Sequence, residues 1–232
     1  MTKRIYGGFS VKGIHHSKND DSFDAGKFSD GYYIGLSDGL GSCPLSHIGS
    51  QLLVRILAQV VAGINPQKET AASFAVQINQ LWCQKINESG YEVRDCLATA
   101  LFAVVFESAQ TVWLSRLGDG GIVALTDKGS VVLCDSKEMH FCNETNSLGE
   151  INAPWEVKEI KGDWVKAIFL WSDGVSTEGD ISEIESIANG LFEEYCGKSR
   201  LMVEKDLSQW IPELPGNDDK TLVFLIAGEQ TL

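Results

Sequence analysis

The order in which apolar periodicities follow one another along the 232 residues is the strongest constraint on the fold. Strand-like apolar runs occupy 32–36, 99–106, 111–117, 122–125, 131–133, 167–171 and 221–226, several bounded by Asp-Gly or polar steps. Between the first two lie two helical stripes. Ile48, Leu52, Ile56 and Val60, with Leu53 and Leu57 beside them, form one, and Phe74, Ile78, Leu81, Trp82 and Ile86 form the other. A second helix pair is predicted over 182–195, where Ile184, Ile187 and Leu191 recur, and over 198–210. Strands, helix pair, strands, helix pair, final strand is not the alternation of a parallel doubly wound sheet. It suits antiparallel sheets covered by layers of helices, an α+β architecture. No Pro- or Ser-rich linker and no solenoid repeat interrupts the chain, so residues 1–232 read as one domain.

Composition narrows the function classes. Hydrophobic residues at 44% and charged residues at 22% exclude a disordered chain and permit a sizeable core. Nineteen basic against thirty-two acidic residues give a net charge of −13, which repels nucleic acid and anionic lipid. Metal-dependent cleavage of nucleic acid is disfavoured for the same reason, and because no basic stripe is present. An anionic substrate would need the field reversed locally, as a metal ion held by carboxylates would do. Cys43, Cys83, Cys96, Cys134, Cys142 and Cys196 show neither a C-x-x-C pair nor zinc spacing, so reduced, mostly buried thiols are expected. The opening residues lack a signal-peptide-like apolar stretch, and no apolar run approaches the roughly 20 residues of a spanning helix. A cytoplasmic protein is expected. The six Trp residues, Trp82 and Trp210 among them, read as core or helix-packing groups.

The chemistry resides in aspartates at the ends of apolar runs. Asp38-Gly39 and Asp173-Gly174 each close a strand with the same Ser lead-in. Asn19-Asp20-Asp21-Ser22 follows the first strand region, Asp119 sits in Gly118-Asp119-Gly120-Gly121, and Asn217-Asp218-Asp219-Lys220-Thr221 opens the last strand. Any one of these reads most simply as a turn, and Asp30-Gly31 as nothing more. Taken together they read as carboxylates displayed at sheet ends. Several carboxylates crowded at neutral pH need a compensating cation, and hard oxygen ligands without His or Cys select Mg²⁺ or Mn²⁺.

The series Gly13-x-x-His16-x-x-Asn19-Asp20-Asp21-Ser22, Leu36-Ser37-Asp38-Gly39-Leu40-Gly41, Leu97-Ala98-Thr99-Ala100, Leu117-Gly118-Asp119, Trp171-Ser172-Asp173-Gly174-Val175 and Asp218-Asp219-Lys220-Thr221 resembles the PP2C-type metal-dependent Ser/Thr protein phosphatases, most closely their compact bacterial branch. The resemblance runs over nearly the whole chain in order. It implies a four-layer α/β/β/α sandwich of two antiparallel sheets flanked by helix pairs, and two divalent ions, Mg²⁺ or Mn²⁺, with a third, weaker position. It implies that Asp21 and Asp38 are metal ligands with the Gly39 carbonyl completing the shell. Asp173 and Asp218 would hold one of the two ions, Asp119 the third position, and Asp20 a metal-bound water. The implied activity is hydrolysis of phosphoserine or phosphothreonine by a water bridging two ions, on a phosphoprotein made by a Ser/Thr kinase. Neither nucleic acid nor membrane is expected as a partner, and the protein is expected to be a monomer.

One departure stands out. Many members carry an Arg five residues before the first aspartate to grip phosphate, and His16 occupies that position here. An imidazole offers one donor where a guanidinium offers a planar fork. His15, His16 and Lys18 are the candidate phosphate contacts, and Asp38, Asp21 and His16 the candidate catalytic groups. The missing Arg also motivates an alternative, a catalytically silent phosphoprotein-binding or regulatory module on the same scaffold. His47 and His140 carry no functional signal. The polar stretches within 126–163 are where relatives carry a mobile flap, so substrate selection is expected there.

Overall fold

The computed structural model describes residues 4–134, 145–175 and 181–228. Ten strands form two five-stranded antiparallel sheets. The first has the order β1 (Arg4–Val11), β10 (Lys220–Ala227), β9 (Val165–Trp171), β6 (Gly121–Thr126), β7 (Gly129–Leu133). The second runs β2 (Ser22–Phe28), β3 (Gly31–Ser37), β4 (Ala100–Phe106), β5 (Thr111–Leu117), β8 (Glu156–Lys161). Helices α1 (Ser46–Val60) and α2 (Ala71–Glu88) cover the second sheet, and α3 (Ile181–Tyr195) and α4 (Arg200–Trp210) cover the first.

Three apolar layers hold these four together. Strand β4 shows why, since its residues alternate with period two between different cores. Ala100, Phe102, Val104 and Phe106 meet Phe74, Ile78, Trp82 and Leu57 of the helices, whereas Leu101, Ala103 and Val105 meet Ile122, Ile168, Leu170 and Val223 across the gap between sheets. A third layer joins Phe169 and Phe224 to Tyr195, Val203 and Leu207 of α3 and α4. The sheets therefore stack face to face, each with a helix pair on its outer side, which gives the four-layer sandwich expected from the segment order.

Helix α2 starts at a reciprocal cap. The Thr70 hydroxyl accepts from Ser73 N at 3.1 Å while the Ser73 hydroxyl accepts from Thr70 N at 3.0 Å. Phe74, Ile78, Trp82 and Ile86 of the expected stripe are buried, and Leu81 is half-buried at its margin. In α1 the buried face is rotated from expectation. Gly49, Leu53, Ile56 and Leu57 lie deepest, and Ile48, Leu52 and Val60 are only half-buried. The cause is Gly49, whose carbonyl accepts from Trp82 Nε1 at 2.9 Å, and where a Cβ would stand 1.8 Å from the Cys96 carbonyl oxygen. Gly49→Ala is expected to cost upwards of about 2–3 kcal/mol, because rigid backbone leaves it nowhere to go. Denaturant unfolding measures this, and an unchanged midpoint would contradict the packing.

Strands β2 and β8 were not evident from sequence. Both are edges of the second sheet, and their sequences, SFDAGKF and EVKEIK, mix charge and glycine because one side faces water. Cys43, Cys83, Cys96 and Cys196 are free thiols, but only Cys96 is buried, and the others and Cys134 are half-buried, a correction to the expected burial. Cys142 and His140 lie outside the described residues, as does most of 126–163 beyond β7 up to residue 144. After residue 144 the chain is anchored at 147–149, while Ile151 beyond it is exposed. Leu148 is fully buried with its N–H on the Ala98 carbonyl, and Gly149 N donates to Asn79 Oδ1 at 2.9 Å. Among the described residues no helix is long and apolar enough to cross a membrane.

Candidate active site

Both sheets deliver chain ends to one rim. From the second sheet, β3 runs into Asp38 and β2 starts immediately after Asp21. From the first, β9 ends beside Asp173 and β10 starts after Asp218 and Asp219. The β5–β6 turn contributes Asp119.

Asp38 is pinned through Thr99. Its N–H donates to Thr99 Oγ1 at 2.9 Å, and its carbonyl accepts from Thr99 N at 2.8 Å. The following Gly39 N donates to the Asp20 carbonyl at 3.2 Å, which ties the Asp20-Asp21 pair to the Asp38-Gly39 pair. Asp21, 6% exposed, is oriented by two hydroxyls of the opposite sheet. Its Oδ2 accepts from Thr221 Oγ1 at 2.6 Å and from Ser172 Oγ at 2.8 Å, and the Ser172 hydroxyl in turn accepts from Thr221 N at 3.0 Å. Asp21 Oδ1 is buried with no hydrogen-bond partner among protein atoms. Asp173 stands at the head of a 3₁₀ turn, Asp173–Val175. The glycine after it is required by close approach, since a Cβ at Gly174 would lie 2.0 Å from the Asp219 carbonyl oxygen.

The electrostatics show how tightly these groups converge. Burial pushes the Asp21 carboxyl up to about 7, against the pull of the Thr221 and Ser172 hydroxyls and helped by Asp219. Burial, then the charges of Asp21 and Asp173, hold Asp38 well above the ordinary carboxylate range. Asp173 is raised by burial and by Asp218, with Asp119 adding to it. Asp219, Asp21, Asp38, Asp173 and Asp218 thus form a chain of neighbouring carboxylates, with Asp119 beside Asp173. Asp119 also accepts from the Thr145 hydroxyl.

The remaining expected residues are placed as follows. Asp20 Oδ1 lies 3.8 Å from Lys18 Nζ and 3.9 Å from His47 Nδ1. Lys18 Nζ lies 2.6 Å from His47 Nδ1 and donates to the Pro44 carbonyl at 3.3 Å. His15 is exposed. His16 faces two carboxylates, with Nε2 at 3.6 Å from Asp218 Oδ1 and Nδ1 at 3.1 Å from Asp219 Oδ1. The second contact is close, though off the alignment of a good hydrogen bond. Burial alone would lower the His16 pKa. Asp219, Asp218 and Asp20 outweigh it and raise the group.

Sequence reasoning missed four groups that build this site. Asp219, 2% exposed, accepts from Gly13 N at 2.7 Å and Asp20 N at 2.6 Å, and so clamps the β1–β2 loop against the start of β10. Ser172, Thr221 and Thr99 hold the carboxylates of Asp21 and the backbone of Asp38. All four lie inside the quoted motifs, Ser172 and Asp219 directly beside a predicted ligand and Thr221 two residues after Asp219, which was the available signal, whereas Thr99 has no predicted ligand near it in sequence. Beside the rim, a cleft of about 770 Å³ opens between Leu40 and Ser42, the segment 92–97 and Thr145 to Glu150.

The four-layer fold is shared by solved proteins. Similar solved structures include a bacterial serine phosphatase, 15% identical over the full length of both chains with a TM-score of 0.72. The serine/threonine phosphatase Stp1 from Staphylococcus aureus is also 15% identical, over 99% of this chain and 96% of its own, with a TM-score of 0.71. The catalytic domain of the serine threonine protein phosphatase PstP is 18% identical over 97% and 99%, with a TM-score of 0.66. No curated protein matches the chain by sequence. The Protein phosphatase 2C family matches residues 14–211, and the chain belongs to that family, whose members are Ser/Thr protein phosphatases.

Proposed function

We propose that the chain is a catalytically active hydrolase of phosphoserine and phosphothreonine esters on proteins, dependent on two divalent ions. The observation that carries this reading is the convergence of Asp21, Asp38, Asp173 and Asp218, drawn from two sheets, in which burial raises the first three carboxyls and Asp38 feels the charges of Asp21 and Asp173 while Asp173 feels that of Asp218. The donor set suits such ions. It offers hard oxygens, and the buried Asp21 Oδ1 still lacks a partner. Asp21, Asp38, the Gly39 carbonyl, Asp173 and Asp218 would hold Mg²⁺ or Mn²⁺, and Asp119 a third, weaker ion. When bound, the ions would activate a water and neutralise charge on the transferring phosphoryl group. The solved PstP relative is in complex with two manganese ions and the RsbX relative with magnesium, which supports the choice.

The protein's own groups then divide the work. Thr99 holds Asp38 by the backbone, and Ser172 and Thr221 hold Asp21 Oδ2 so that Oδ1 faces the centre. Lys18, beside Asp20, supplies a cationic group next to the acidic set, and it and the exposed His15 are the candidate phosphate contacts. The substrates would be products of a Ser/Thr kinase, met in the cytoplasm by a monomer.

Hydrolysis of p-nitrophenyl phosphate and of a phosphoserine peptide, with Mn²⁺ or Mg²⁺ and then with excess chelator, tests the reading. Turnover that depends on metal and disappears on chelation is expected. Mn²⁺ binding without turnover on either substrate would instead establish the silent module that the His16 departure favours. Thr221→Val keeps the shape but removes a 2.6 Å donor to Asp21. It is expected to weaken Mn²⁺ binding by about tenfold or more, the scale of lost outer-shell support, as measured by isothermal titration.

A further inference from the structure

His16 stands where an Arg was expected, and its two ring nitrogens have different surroundings. Nδ1 is buried against Asp219, a carboxylate that is itself 2% exposed and fixed by the N–H groups of Gly13 and Asp20. Nε2 faces Asp218 Oδ1. One donor atom from each of His16, Asp218 and Asp219 lies within 4.8 Å of the others. We propose that His16 is a metal ligand, presenting Nε2 to the ion that Asp218 holds, with Asp219 behind it as the positioning carboxylate. The inference rests on the metal-centre reading above.

Two physical points carry it. A metal-ligating histidine almost always turns its other ring nitrogen to a carboxylate or carbonyl, which fixes the tautomer and leaves the lone pair on the outer nitrogen. Asp219 Oδ1 stands 3.1 Å from Nδ1, within reach though not aligned as a hydrogen bond, and it cannot swing away because both its oxygens already accept backbone N–H groups, so a turn of the ring would complete the contact. The Nε2 to Asp218 Oδ1 separation of 3.6 Å is too long for a hydrogen bond. It is close to the about 3–3.5 Å that separates adjacent ligands each about 2.1 Å from one small divalent ion. The same spacing suits an imidazolium ion pair, which would leave no nitrogen bonded to a metal, so nitrogen coupling separates the two. The consequence is a mixed nitrogen–oxygen shell on one side of the centre, which favours Mn²⁺ over Mg²⁺ more than an all-oxygen shell would.

Pulsed electron paramagnetic resonance on the full chain loaded with Mn²⁺ tests the inference. Modulation from a directly bonded ¹⁴N is expected in the wild type and absent in His16→Gln, because the chain has four histidines and the variant assigns the signal. His16→Gln is also expected to lose about tenfold in Mn²⁺ affinity while Mg²⁺ affinity changes little. His16 is partly exposed on a loop, so the variant should fold. Should its melting profile show otherwise, His16→Asn serves in its place. Mn²⁺ bound without nitrogen coupling, or coupling that survives the substitution, overturns the inference and leaves the metal centre standing. Failure of Mn²⁺ to bind at all overturns the centre itself.

Discussion

Asp38→Asn is expected to reduce phosphatase turnover by at least about 10²–10³-fold, the scale on which removal of one preorganised electrostatic group acts. The variant should nevertheless melt higher than the wild type when both are free of metal. The two effects share one origin. Asp38 lies between Asp21 and Asp173, and burial together with those two charges holds its carboxyl far above the ordinary range. A neutral amide of the same shape removes the repulsion, while the backbone hydrogen bonds to Thr99 persist. Steady-state hydrolysis of p-nitrophenyl phosphate with saturating Mn²⁺ measures the first effect, and calorimetry in chelator the second. A variant that kept wild-type turnover would sink the proposed role. One that melted lower in chelator would show that the carboxylates are not in conflict.

The second large effect is on stability as a function of pH. Asp21 ionises near 3.8 in an unfolded chain and near 7 in the metal-free fold. Below about pH 4 both states are protonated and the group contributes nothing. As pH rises from about 4 to 7 the unfolded chain releases its proton while the fold retains it, so the fold loses stability. Above about 7 the penalty is complete, on the order of 4 kcal/mol for this group alone, or about 10 °C in melting temperature for a chain of this size. Asp38 and Asp173 are shifted in the same direction and add to it. Divalent metal supplies the missing counter-charge, so the rise in melting temperature on adding Mn²⁺ should be several-fold larger at pH 8 than at pH 5. Differential scanning fluorimetry across that range is sufficient. A metal-free melting temperature that stays level from pH 4 to 8 would refute the electrostatic account.

Much of the architecture was legible because buried strands and helices carry clean periodicity. Phe74, Ile78, Trp82 and Ile86 announced α2, and the run over 99–106 announced β4. The edge strands β2 and β8 stayed hidden, since a strand paired on one side and wetted on the other need not alternate. The rotation of α1 about Gly49 was equally out of reach. It depends on a carbonyl some fifty residues away, and no local pattern encodes that approach. At the site, the aspartates were readable as repeated strand-end motifs. Their supports were not, because a hydroxyl such as Ser172 or Thr221 gains meaning only when two sheets bring it to Asp21. The side chain of Asp20 and the pairing of Lys18 with His47 likewise follow from where α1 begins, not from spacing in the chain.

Because Asp21 belongs to the edge of one sheet while the hydroxyls that grip it terminate strands of the other, the centre works as a clasp across the sandwich. On the proposed metal-centre reading, a perturbation that lets the two sheets slide, however distant from the rim, would be read out as a loss of ion affinity before the helices or either sheet alone begin to unravel.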